Sequence, residues 1–506
     1  MSKTLITLPD MIDAAAARRP DKAALISGER RVTYGEIGAF AGAVASILRS
    51  RGLAAGDRVA IKAGNKIDFL RGVIGAMASG AVAAPIDEAG AAGQAALIDH
   101  LEPRFVLHDG SLSVDPGAFA DCTFLVFDDI DALASQVPSS PTRVTDSESI
   151  ALILHTSGTE GGRKGVMLSH ANLSASTQAI NQFMGVTADI VEVVTAPVDH
   201  AFGFGRCRCV LAAGGTVIAD EGLFNPLRVL ASLRRHEANA LSSVSTGIAM
   251  LVGHMADALA ECAAHVRWME IGSLPLGQAA VDWLCATFPE ARIAFNYGMT
   301  EGMRSTLVDL VGETAGRDSV GRAAPGCAVR VCGENGETLA PGTAGTIEVS
   351  GPHIAVGYWR DASAWAARIE DGWFRSDDIG TLDAAGYLRF IGRRDDLINC
   401  GGEKLSPTDI ELSIQPHLTA IPFCVLGICD PAGLYGEVPA LCVEGDWPAE
   451  VDWQTLRTSL AEVLPGAFVP RVAAAVPTFP RTGNGKVRRR DLRSRIESGQ
   501  GVALQG

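Results

Sequence analysis

The chain is 506 residues long, with 47% hydrophobic and 20% charged residues, so we expect an ordered globular protein of two or more domains. Its formal net charge of −15 argues against a nucleic-acid partner, because nucleic-acid binding needs a basic surface. The eleven cysteines include no C-x-x-C pair, which argues against a disulfide framework and fits a reducing cytoplasm. The N-terminus lacks the apolar run of a signal peptide, and the most apolar stretch, 72–86, is too short to span a membrane.

Strand-like apolar runs alternate with helical patterns through the first three quarters of the chain. The pattern predicts strands at 58–63, 81–86 and 150–155 and a helix at 66–78. Such alternation is typical of parallel sheets covered by helices. From about Ser319 onward, short β-like pieces separated by glycine turns predict antiparallel strands and hairpins.

A charged segment at 392–397 separates two compact patterns and is the predicted hinge. Beyond it, Ser406 and Pro407 are typical of a helix start, as the cap and the first helical residue. The predicted fold is α/β. It has a large N-terminal domain, 1–395, of helix-covered parallel-type sheets with a small β-barrel-like subdomain, and a small mobile α+β C-terminal domain, 396–506.

A glycine-rich loop after the strand at 150–155 carries the strongest local signal, Thr156-Ser-Gly-Thr-Glu-Gly-Gly-Arg-Lys-Gly165. Its small residues let backbone N–H groups approach phosphate oxygens, and Lys164 adds a positive charge. The Gly-Lys-Ser/Thr ending of a Walker loop is missing. Taken alone, such a loop is as often an ordinary glycine-rich turn as a phosphate site.

A second loop, Asn296-Tyr-Gly-Met-Thr-Glu-Gly302, follows another apolar strand. Its aromatic residue can stack on a base, Thr300 offers a hydroxyl to phosphate, and Glu301 offers the hard oxygen ligand that Mg²⁺ prefers. Further on, Asp378 can accept hydrogen bonds from both hydroxyls of a ribose, and Lys486 lies on a glycine-rich hairpin near the end of the chain. The combination of these motifs is far more specific than any one of them.

The order and spacing of the motifs resemble the adenylate-forming superfamily of acyl-CoA synthetases, nonribosomal adenylation domains and luciferases, and most of all its acyl- and aryl-CoA ligases. The resemblance runs from the segment Val32-Thr-Tyr-Gly-Glu36 to Lys486. It implies that the protein uses ATP and Mg²⁺ to convert a carboxylic acid into an acyl-AMP with release of pyrophosphate. The acyl group is then expected to pass to coenzyme A.

The resemblance also assigns a role to each matching position. It implies catalytic roles for Lys486, Thr300, Glu301 and His200, with Glu301 as the metal ligand and Asp396 as the hinge residue. The positions expected to bind ATP or AMP are Thr156, Ser157, Gly158, Thr159, Glu160, Gly161, Lys164, Gly272, Ser273, Leu274, Asn296, Tyr297, Gly298, Met299, Asp378 and Arg393. The loop expected to line the path of the CoA thiol is Gly401, Gly402, Glu403 and Lys404.

The segment 197–204 is expected to line the acyl pocket, with His200 as a gate. Amino-acid-activating relatives have an Asp at the position of Ala201, where it binds the α-amine, whereas Asp199 is predicted to point to the opposite face of a strand. A plain fatty or aromatic acid is therefore favoured over an amino acid. The predicted pocket residues are His200, Ala201, Ser245, Thr246, Gly247 and Met303.

Several charged and sulfur-containing residues have two interpretations. Arg206 and Arg304 are candidates for binding a second carboxylate, although structural ion pairs are favoured for both. Cys207 and Cys209 are interpreted as neighbours on one face of a strand rather than as metal ligands. The arginine-rich run 488–493 is expected to be a solvated helix face, with a CoA phosphate site as the alternative.

Three residues depart from the family's usual pattern. Glu160 replaces Ser or Thr, Arg163 replaces Pro, and Asp377 replaces Gly. Two other functions stay open at this point. One is a stand-alone adenylating enzyme that loads a separate carrier protein; the other is an inactive nucleotide-binding regulator, against which the retained catalytic positions argue.

Overall fold

The computed structural model describes residues 7–87, 90–134, 146–156, 163–219, 225–272, 276–418, 421–481, 487–499 and the backbone of 503–505. Within these ranges no helix is both long and apolar enough to cross a membrane. The chain forms two compact units. The larger unit contains Met1–Leu274, Asp282–Val329 and Val349–Phe374, and the smaller contains Pro275–Val281, Arg330–Glu348 and Arg375–Gly506.

The described residues form the following helices, given in chain order. They are α1 (Leu8–Arg18), α2 (Tyr34–Ser50), α3 (Lys66–Ala78), α4 (Ala91–Leu101), α5 (Phe127–Ala134), α6 (His170–Met184), α7 (Ala201–Ala213), α8 (Pro226–Arg235), α9 (Ser245–Ala260), α10 (Gln278–Thr287), α11 (Ala362–Ala366), α12 (Pro407–Ile414), α13 (Trp453–Val463) and α14 (Arg489–Glu497).

The strands of the described residues follow the same numbering. The first fourteen are β1 (Ala23–Ser27), β2 (Arg30–Thr33), β3 (Arg58–Lys62), β4 (Val82–Pro85), β5 (Phe105–His108), β6 (Thr123–Val126), β7 (Ile150–His155), β8 (Gly165–Ser169), β9 (Val191–Val194), β10 (Thr216–Ile218), β11 (Ala240–Val244), β12 (Trp268–Gly272), β13 (Arg292–Tyr297) and β14 (Thr306–Asp309). The others are β15 (Arg322–Ala323), β16 (Ala328–Cys332), β17 (Gly345–Ser350), β18 (Gly357–Tyr358), β19 (Ile369–Glu370), β20 (Trp373–Leu382), β21 (Leu388–Arg393), β22 (Ile398–Cys400), β23 (Glu403–Leu405), β24 (Phe423–Cys429), β25 (Glu437–Glu444), β26 (Val472–Val476) and β27 (Ala503–Gln505).

Two large sheets organise the larger unit. One has the order β18-β8-β7-β4-β3-β5-β6 and the other β15-β14-β13-β12-β11-β9-β10-β1-β2. Pairing is parallel from β7 to β6 in the first sheet and from β13 to β1 in the second, whereas the edges are antiparallel. The prediction of parallel sheets covered by helices is confirmed, and α3 has its predicted bounds.

A five-stranded sheet with the order β16-β17-β20-β19, in which β21 pairs with β20, lies where the sequence predicts hairpins. Its pairs β19–β20 and β20–β21 are antiparallel. The prediction of antiparallel strands after Ser319 is therefore confirmed. The barrel-like closure of this region stays a prediction.

The C-terminal part of the smaller unit is α+β, as predicted. A hairpin, β22–β23, precedes a sheet of order β24-β25-β26-β27, which buries one core with α12, α13 and α14. Ser406 caps α12 by accepting a hydrogen bond from the N–H of Asp409 at 3.2 Å, and Pro407 is the first helical residue, so the predicted helix start is confirmed. The mixed α/β class, with a large N-terminal sheet domain and a smaller C-terminal domain, is confirmed, and the boundary at 395/396 stays a prediction.

The prediction of a strand around Cys207 and Cys209 is wrong. Both residues lie in helix α7, which is buried over most of its length. An element covered on all sides shows neither the period of a strand nor that of a surface helix, so a run rich in Gly, Ala and Cys is ambiguous between the two. Both thiols are buried, and burial raises the pKa of each.

Candidate active site

The glycine-rich loop begins at the end of β7 and returns as β8. The N–H of Thr156 donates to the carbonyl of Lys164 at 3.0 Å and closes the base of the loop. The predicted phosphate-binding residues Ser157, Gly158, Thr159, Glu160 and Gly161 lie outside the described residues. Arg163, at the base, forms an ion pair with Asp87.

Lys164 lies over the aromatic ring of Tyr358, a residue outside the sequence motifs. Its ammonium is 5.0 Å from the centroid of the Tyr358 ring, which is within the range of a cation–π contact. The hydroxyl of Tyr358 donates to Oε1 of Glu301 at 2.7 Å. Two predicted site residues, far apart in sequence, are thus brought together by one tyrosine.

The turn that carries Thr300 and Glu301 connects β13 to β14. Met299 and Gly302 exchange backbone hydrogen bonds of 3.2 and 3.3 Å across it. A Cβ atom on Gly298 would lie 2.5 Å from the backbone nitrogen of Arg304, so this tight approach requires glycine. Because Met299, Thr300 and Glu301 are partly exposed, the turn presents its polar groups to solvent or ligand.

A chain of buried hydrogen bonds supports the same turn. The hydroxyl of Ser305 donates to the carbonyl of Gly302 at 3.0 Å and therefore accepts a hydrogen bond from Nε2 of His353 at 2.9 Å. Nδ1 of His353 is then free to accept the thiol proton of Cys327, 3.2 Å away. Burial lowers the pKa of His353 to about 4 and raises that of Cys327 to about 12. Both groups are thus neutral near pH 7.

The predicted adenine-slot residues lie at the adjacent ends of β12 and β13. Asn296 donates through Nδ2 to Oε1 of Glu270 at 2.9 Å and to the carbonyl of Ile271 at 3.2 Å. A Cβ atom on Gly272 would lie 2.5 Å from the ring of Phe202. The ring of Tyr297 is buried. Ser273 and Leu274 lie outside the described residues.

Helix α7 begins at the predicted acyl-pocket segment, which is a correction to the predicted strand. His200 is the N-cap and Ala201 the first helical residue. The argument that Asp199 faces away because of strand alternation therefore does not apply, since Asp199 lies in the turn before a helix. Among the other predicted pocket residues, Ser245 opens α9 and donates to the carbonyl of Gly272 at 3.3 Å. Of its neighbours in α9, Thr246 is exposed and Gly247 buried.

Four buried charges connect α7 to β9, β12 and the turn after β13. Arg206 pairs with Glu192 and with Glu270, both at 3.0 Å, and Arg304 pairs with Glu270 at 2.9 Å. Burial works to raise the pKa of Glu270, but Arg304 and Arg206 outweigh it and the pKa lies below its ordinary value. Both arginines are structural ion-pair partners, so the favoured interpretation is confirmed.

Arg304 also fixes the start of α7 directly. Its guanidinium donates to the carbonyl oxygens of Ala201 at 3.3 Å and Phe202 at 3.1 Å, and it lies 4.4 Å from the centroid of the Phe202 ring. Met303, a predicted pocket residue, directly precedes Arg304 in the sequence and is buried. The acyl-pocket segment is therefore held by the residues that follow the Thr300–Glu301 turn.

The predicted ribose residues meet in the smaller unit. Asp378 and Arg393 are direct partners in the β20–β21 hairpin, with 3.8 Å between Arg393 Nε and an Asp378 carboxylate oxygen. Asp377, which replaces the usual glycine, is also within 3.9 Å of Arg393. At the predicted hinge, Asp396 lies 3.8 Å from the guanidinium of Arg489.

The predicted thiol-path loop is a tight hairpin between β22 and β23. Cys400 pairs with Glu403, so Gly401 and Gly402 form a two-residue turn, and both have positive φ, +61° and +93°. This conformation favours glycine. Lys404 lies on β23 and is exposed, and Lys486 lies outside the described residues.

The arginine-rich run 488–493 is a paired helix face. Arg489 bonds Glu411 at 2.6 Å, Arg490 lies 3.4 Å from Asp395, and Arg493 bonds Glu437 at 2.6 Å. The run is thus a helix face, as predicted, but carboxylates and not solvent alone face its arginines. The alternative of a CoA phosphate site stays a prediction.

Comparison with known proteins agrees with this geometry. The sequence profile of the AMP-binding enzymes matches residues 12–359. The chain belongs to the AMP-binding enzyme family. Together with the CoA ligases to which it is similar over almost its whole length, this membership shows an ATP-dependent ligase that adenylates a carboxylic acid and forms a thioester with CoA, and this part of the prediction is confirmed.

Two curated AMP-binding relatives and one solved structure illustrate the match. Feruloyl-CoA synthase from Amycolatopsis sp is 31% identical, covering 95% of this chain and 97% of the relative. Indoleacetate–CoA ligase from Aromatoleum aromaticum is 28% identical, covering 97% and 98%. The crystal structure of ATP-bound MatB from Rhodopseudomonas palustris has a TM-score of 0.84 at 29% identity and covers 97% of this chain and 99% of MatB.

Proposed function

We propose that this protein is a CoA ligase for an aromatic carboxylic acid and that it uses Mg²⁺ with ATP. The observation that carries the proposal is the convergence of Lys164 and Glu301 on Tyr358. A cation from the glycine-rich loop and a carboxylate from the second loop thus contact the same tyrosine, an arrangement that suits binding of a metal–polyphosphate. The inactive-regulator alternative does not explain why both groups are retained.

The Thr300–Glu301 turn fits Mg²⁺ in its donor chemistry. The described residues contain no cluster of three or more His, Cys, Asp and Glu that could hold a metal. Mg²⁺ does not need one, because it commonly binds through one or two carboxylates together with substrate phosphates. Oε1 of Glu301 is engaged by Tyr358, and Oε2 accepts no hydrogen bond from the part of the chain that the structure describes. With ATP bound, Mg²⁺ on this oxygen would neutralise phosphate charge.

The reaction proceeds in two half-reactions. In the first, the carboxylate of the acid attacks the α-phosphorus of ATP, and pyrophosphate leaves toward the loop at 156–164. Lys486 neutralises the charge that develops as two anionic groups approach, and Asp378 binds the ribose. In the second, the CoA thiol attacks the carbonyl carbon of the acyl-AMP and AMP leaves. The small domain, beginning at Asp396, presents Lys486 first and the Gly401–Gly402 turn second.

An aromatic acid is supported by the pocket and by the relatives. Ala201 offers no carboxylate to an α-amine, and the neighbouring Phe202 and Met303 are apolar. The relatives named for feruloyl-CoA and indoleacetate act on aromatic acids. These points favour an aromatic acid over a fatty acid or an amino acid. Loading of a carrier protein has no specific observation in its favour.

A panel of acids tests the proposal. Purified protein is incubated with ATP, Mg²⁺ and cinnamic, indoleacetic, medium-chain fatty or amino acids, and pyrophosphate release is measured with and without CoA. Aromatic acids should exceed amino acids in kcat/KM by at least about tenfold, as differences of a few pocket contacts allow, and CoA thioester should accumulate. A preference for an amino acid would refute the acid class. Release of acyl-AMP without thioester would refute the acceptor.

The role of Lys486 is tested by separating the half-reactions. Lys486→Ala should slow acyl-AMP formation by about 2.7–4 kcal/mol in activation free energy, the cost of removing one charge-stabilising donor. Given synthetic acyl-AMP and CoA, the same variant should form thioester at close to the normal rate. Equal slowing of both steps would mean that Lys486 is structural.

A further inference from the structure

We propose that Tyr358 is a positioning residue that keeps Lys164 and Glu301 apart and correctly oriented for Mg²⁺–ATP. The inference rests on the proposed function, since it takes Glu301 as the metal ligand. Tyr358 does not itself need to touch the nucleotide. It acts through the two charged side chains that it contacts.

Backbone pairing anchors Tyr358 beside the glycine-rich loop. Strand β18 pairs with β8, which places Tyr358 opposite Val166, two residues beyond Lys164. The N–H of Trp359 donates to the carbonyl of Gly165 at 2.6 Å. The position of the ring relative to the end of the loop is thus set by the sheet.

The same segment is anchored to the turn of Glu301. The N–H of Ala355 donates to the carbonyl of Glu301 at 2.8 Å, and Ile354 forms an antiparallel bridge with Gly302. Residues 354–358 therefore form a strap, tied at one end to the turn and at the other to β8. The side chain of Tyr358 completes the link between the two loops.

The ring of Tyr358 is held in one orientation. It is 3% exposed, and Trp365 packs edge-on against it with 5.2 Å between ring centroids. One face lies under the Lys164 ammonium, while the hydroxyl reaches Oε1 of Glu301. A buried side chain packed in this way has little freedom to turn aside, so it fixes the carboxylate that it contacts.

The arrangement also prevents the two charges from neutralising each other. Among the described residues, Lys164 contacts the ring and Glu301 the hydroxyl of Tyr358, and the two charges form no salt bridge with one another. Without the ring as its partner, the flexible side chain of Lys164 would be free to turn toward the carboxylate. Both groups would then be engaged before ATP and Mg²⁺ arrive.

Two substitutions distinguish the role of the Tyr358 hydroxyl from that of its ring. Tyr358→Phe keeps the ring beneath Lys164 and removes the hydroxyl that bonds Glu301, whereas Tyr358→Leu removes the ring as well. The matched control is Tyr34→Phe. Tyr34 is also buried, and its hydroxyl donates to the backbone carbonyl of Gly215 at 2.7 Å, with the carbonyl of Leu211 at 3.1 Å.

The measurement is the free Mg²⁺ concentration that half-saturates pyrophosphate exchange, together with calorimetric binding of Mg²⁺–ATP and of metal-free AMP. Tyr358→Phe should raise the half-saturating Mg²⁺ concentration about tenfold, the lower end of the effect of removing a residue that orients a metal ligand. Tyr358→Leu should raise it further. AMP affinity should not change in Tyr358→Phe, and Tyr34→Phe should lose only thermal stability.

Glu301→Gln distinguishes failure of this inference from failure of the proposed function. If Glu301→Gln raises the Mg²⁺ requirement and Tyr358→Phe behaves like Tyr34→Phe, the positioning role is overturned. If Glu301→Gln itself leaves the Mg²⁺ requirement unchanged, the metal assignment fails. In the double variant Glu301→Gln/Tyr358→Phe, the effects should be less than additive; full additivity would show that Tyr358 acts by another route.

Discussion

Replacing Glu270 by Gln should strongly destabilise the larger unit. The side chain is fully buried and forms ion pairs with Arg304 and Arg206 at 2.9 and 3.0 Å. The substitution keeps the shape and removes one negative charge. Glu192 would then be the single remaining carboxylate of this group facing two buried guanidiniums.

The size of the effect follows from burial. Removing one partner of a buried ion pair typically costs about 3–5 kcal/mol, because an uncompensated charge stays inside the protein. Glu270 serves two arginines, so we expect a value near the upper end. Arg234 and Glu261 provide the matched control. They lie 2.6 Å apart with 50% and 69% of their side chains exposed, and an exposed pair contributes about 0.2–1 kcal/mol.

Both losses of unfolding free energy are measured by urea unfolding, monitored by circular dichroism, of Glu270→Gln, Glu261→Gln and the parent protein. Glu270→Gln should lower the midpoint strongly with an unchanged slope, and Glu261→Gln should hardly move it. Because Arg304 also holds the carbonyls of Ala201 and Phe202, KM for the acid should rise in the first variant only. A loss below about 1 kcal/mol for Glu270→Gln would refute the argument that burial decides the energy of these pairs.

Three further predictions concern other parts of the chain. His353 has a folded-state pKa of about 4, so between pH 6.5 and 4 the unfolded chain binds a proton that the folded one does not. Stability should fall by about 2 kcal/mol for this residue from pH 7.5 to pH 5, and His353→Gln should reduce that fall in urea titrations; an equal fall would contradict it. Gly402→Trp should spare acyl-AMP formation and block thioester formation in single-turnover assays, a result that equal rates in both steps would disprove. Asp378→Asn should weaken AMP binding at least about tenfold in calorimetry, since it removes a charged hydrogen-bond acceptor, and unchanged affinity would exclude the ribose role.

Local pattern predicted the elements whose cues lie within one stretch of sequence. Helix α3 has its predicted bounds because Asn65 caps it by accepting hydrogen bonds from Ile67 and Asp68. The family resemblance assigned Asp378 and Arg393 to one ribose site, and the hairpin brings the two residues face to face. In these cases the deciding information was short-range or carried by a recognised motif.

Prediction failed where the deciding contacts are long-range. The segment 201–213 is a buried helix, and its uniform burial removed the periodicity that distinguishes a helix from a strand. Tyr358 was not selected because its importance comes from Glu301, 57 positions away, and from Lys164. His353 was missed for the same reason, since Ser305 is 48 positions away.

The position of β1 in the nine-stranded sheet has a consequence for synthesis of the chain. This N-terminal strand pairs with β10 on one side and β2 on the other, and nearby Lys22 bonds the carbonyl of Gly214, 192 positions later. On the ribosome, β1 must therefore wait without its partner until β10 emerges. Deleting residues 7–33 would leave β10 as an open sheet edge, which is a template for pairing between molecules. Strands β1 and β2 thus protect the edge of β10 from pairing between molecules. The variant that lacks residues 7–33 should be recovered mainly as insoluble protein.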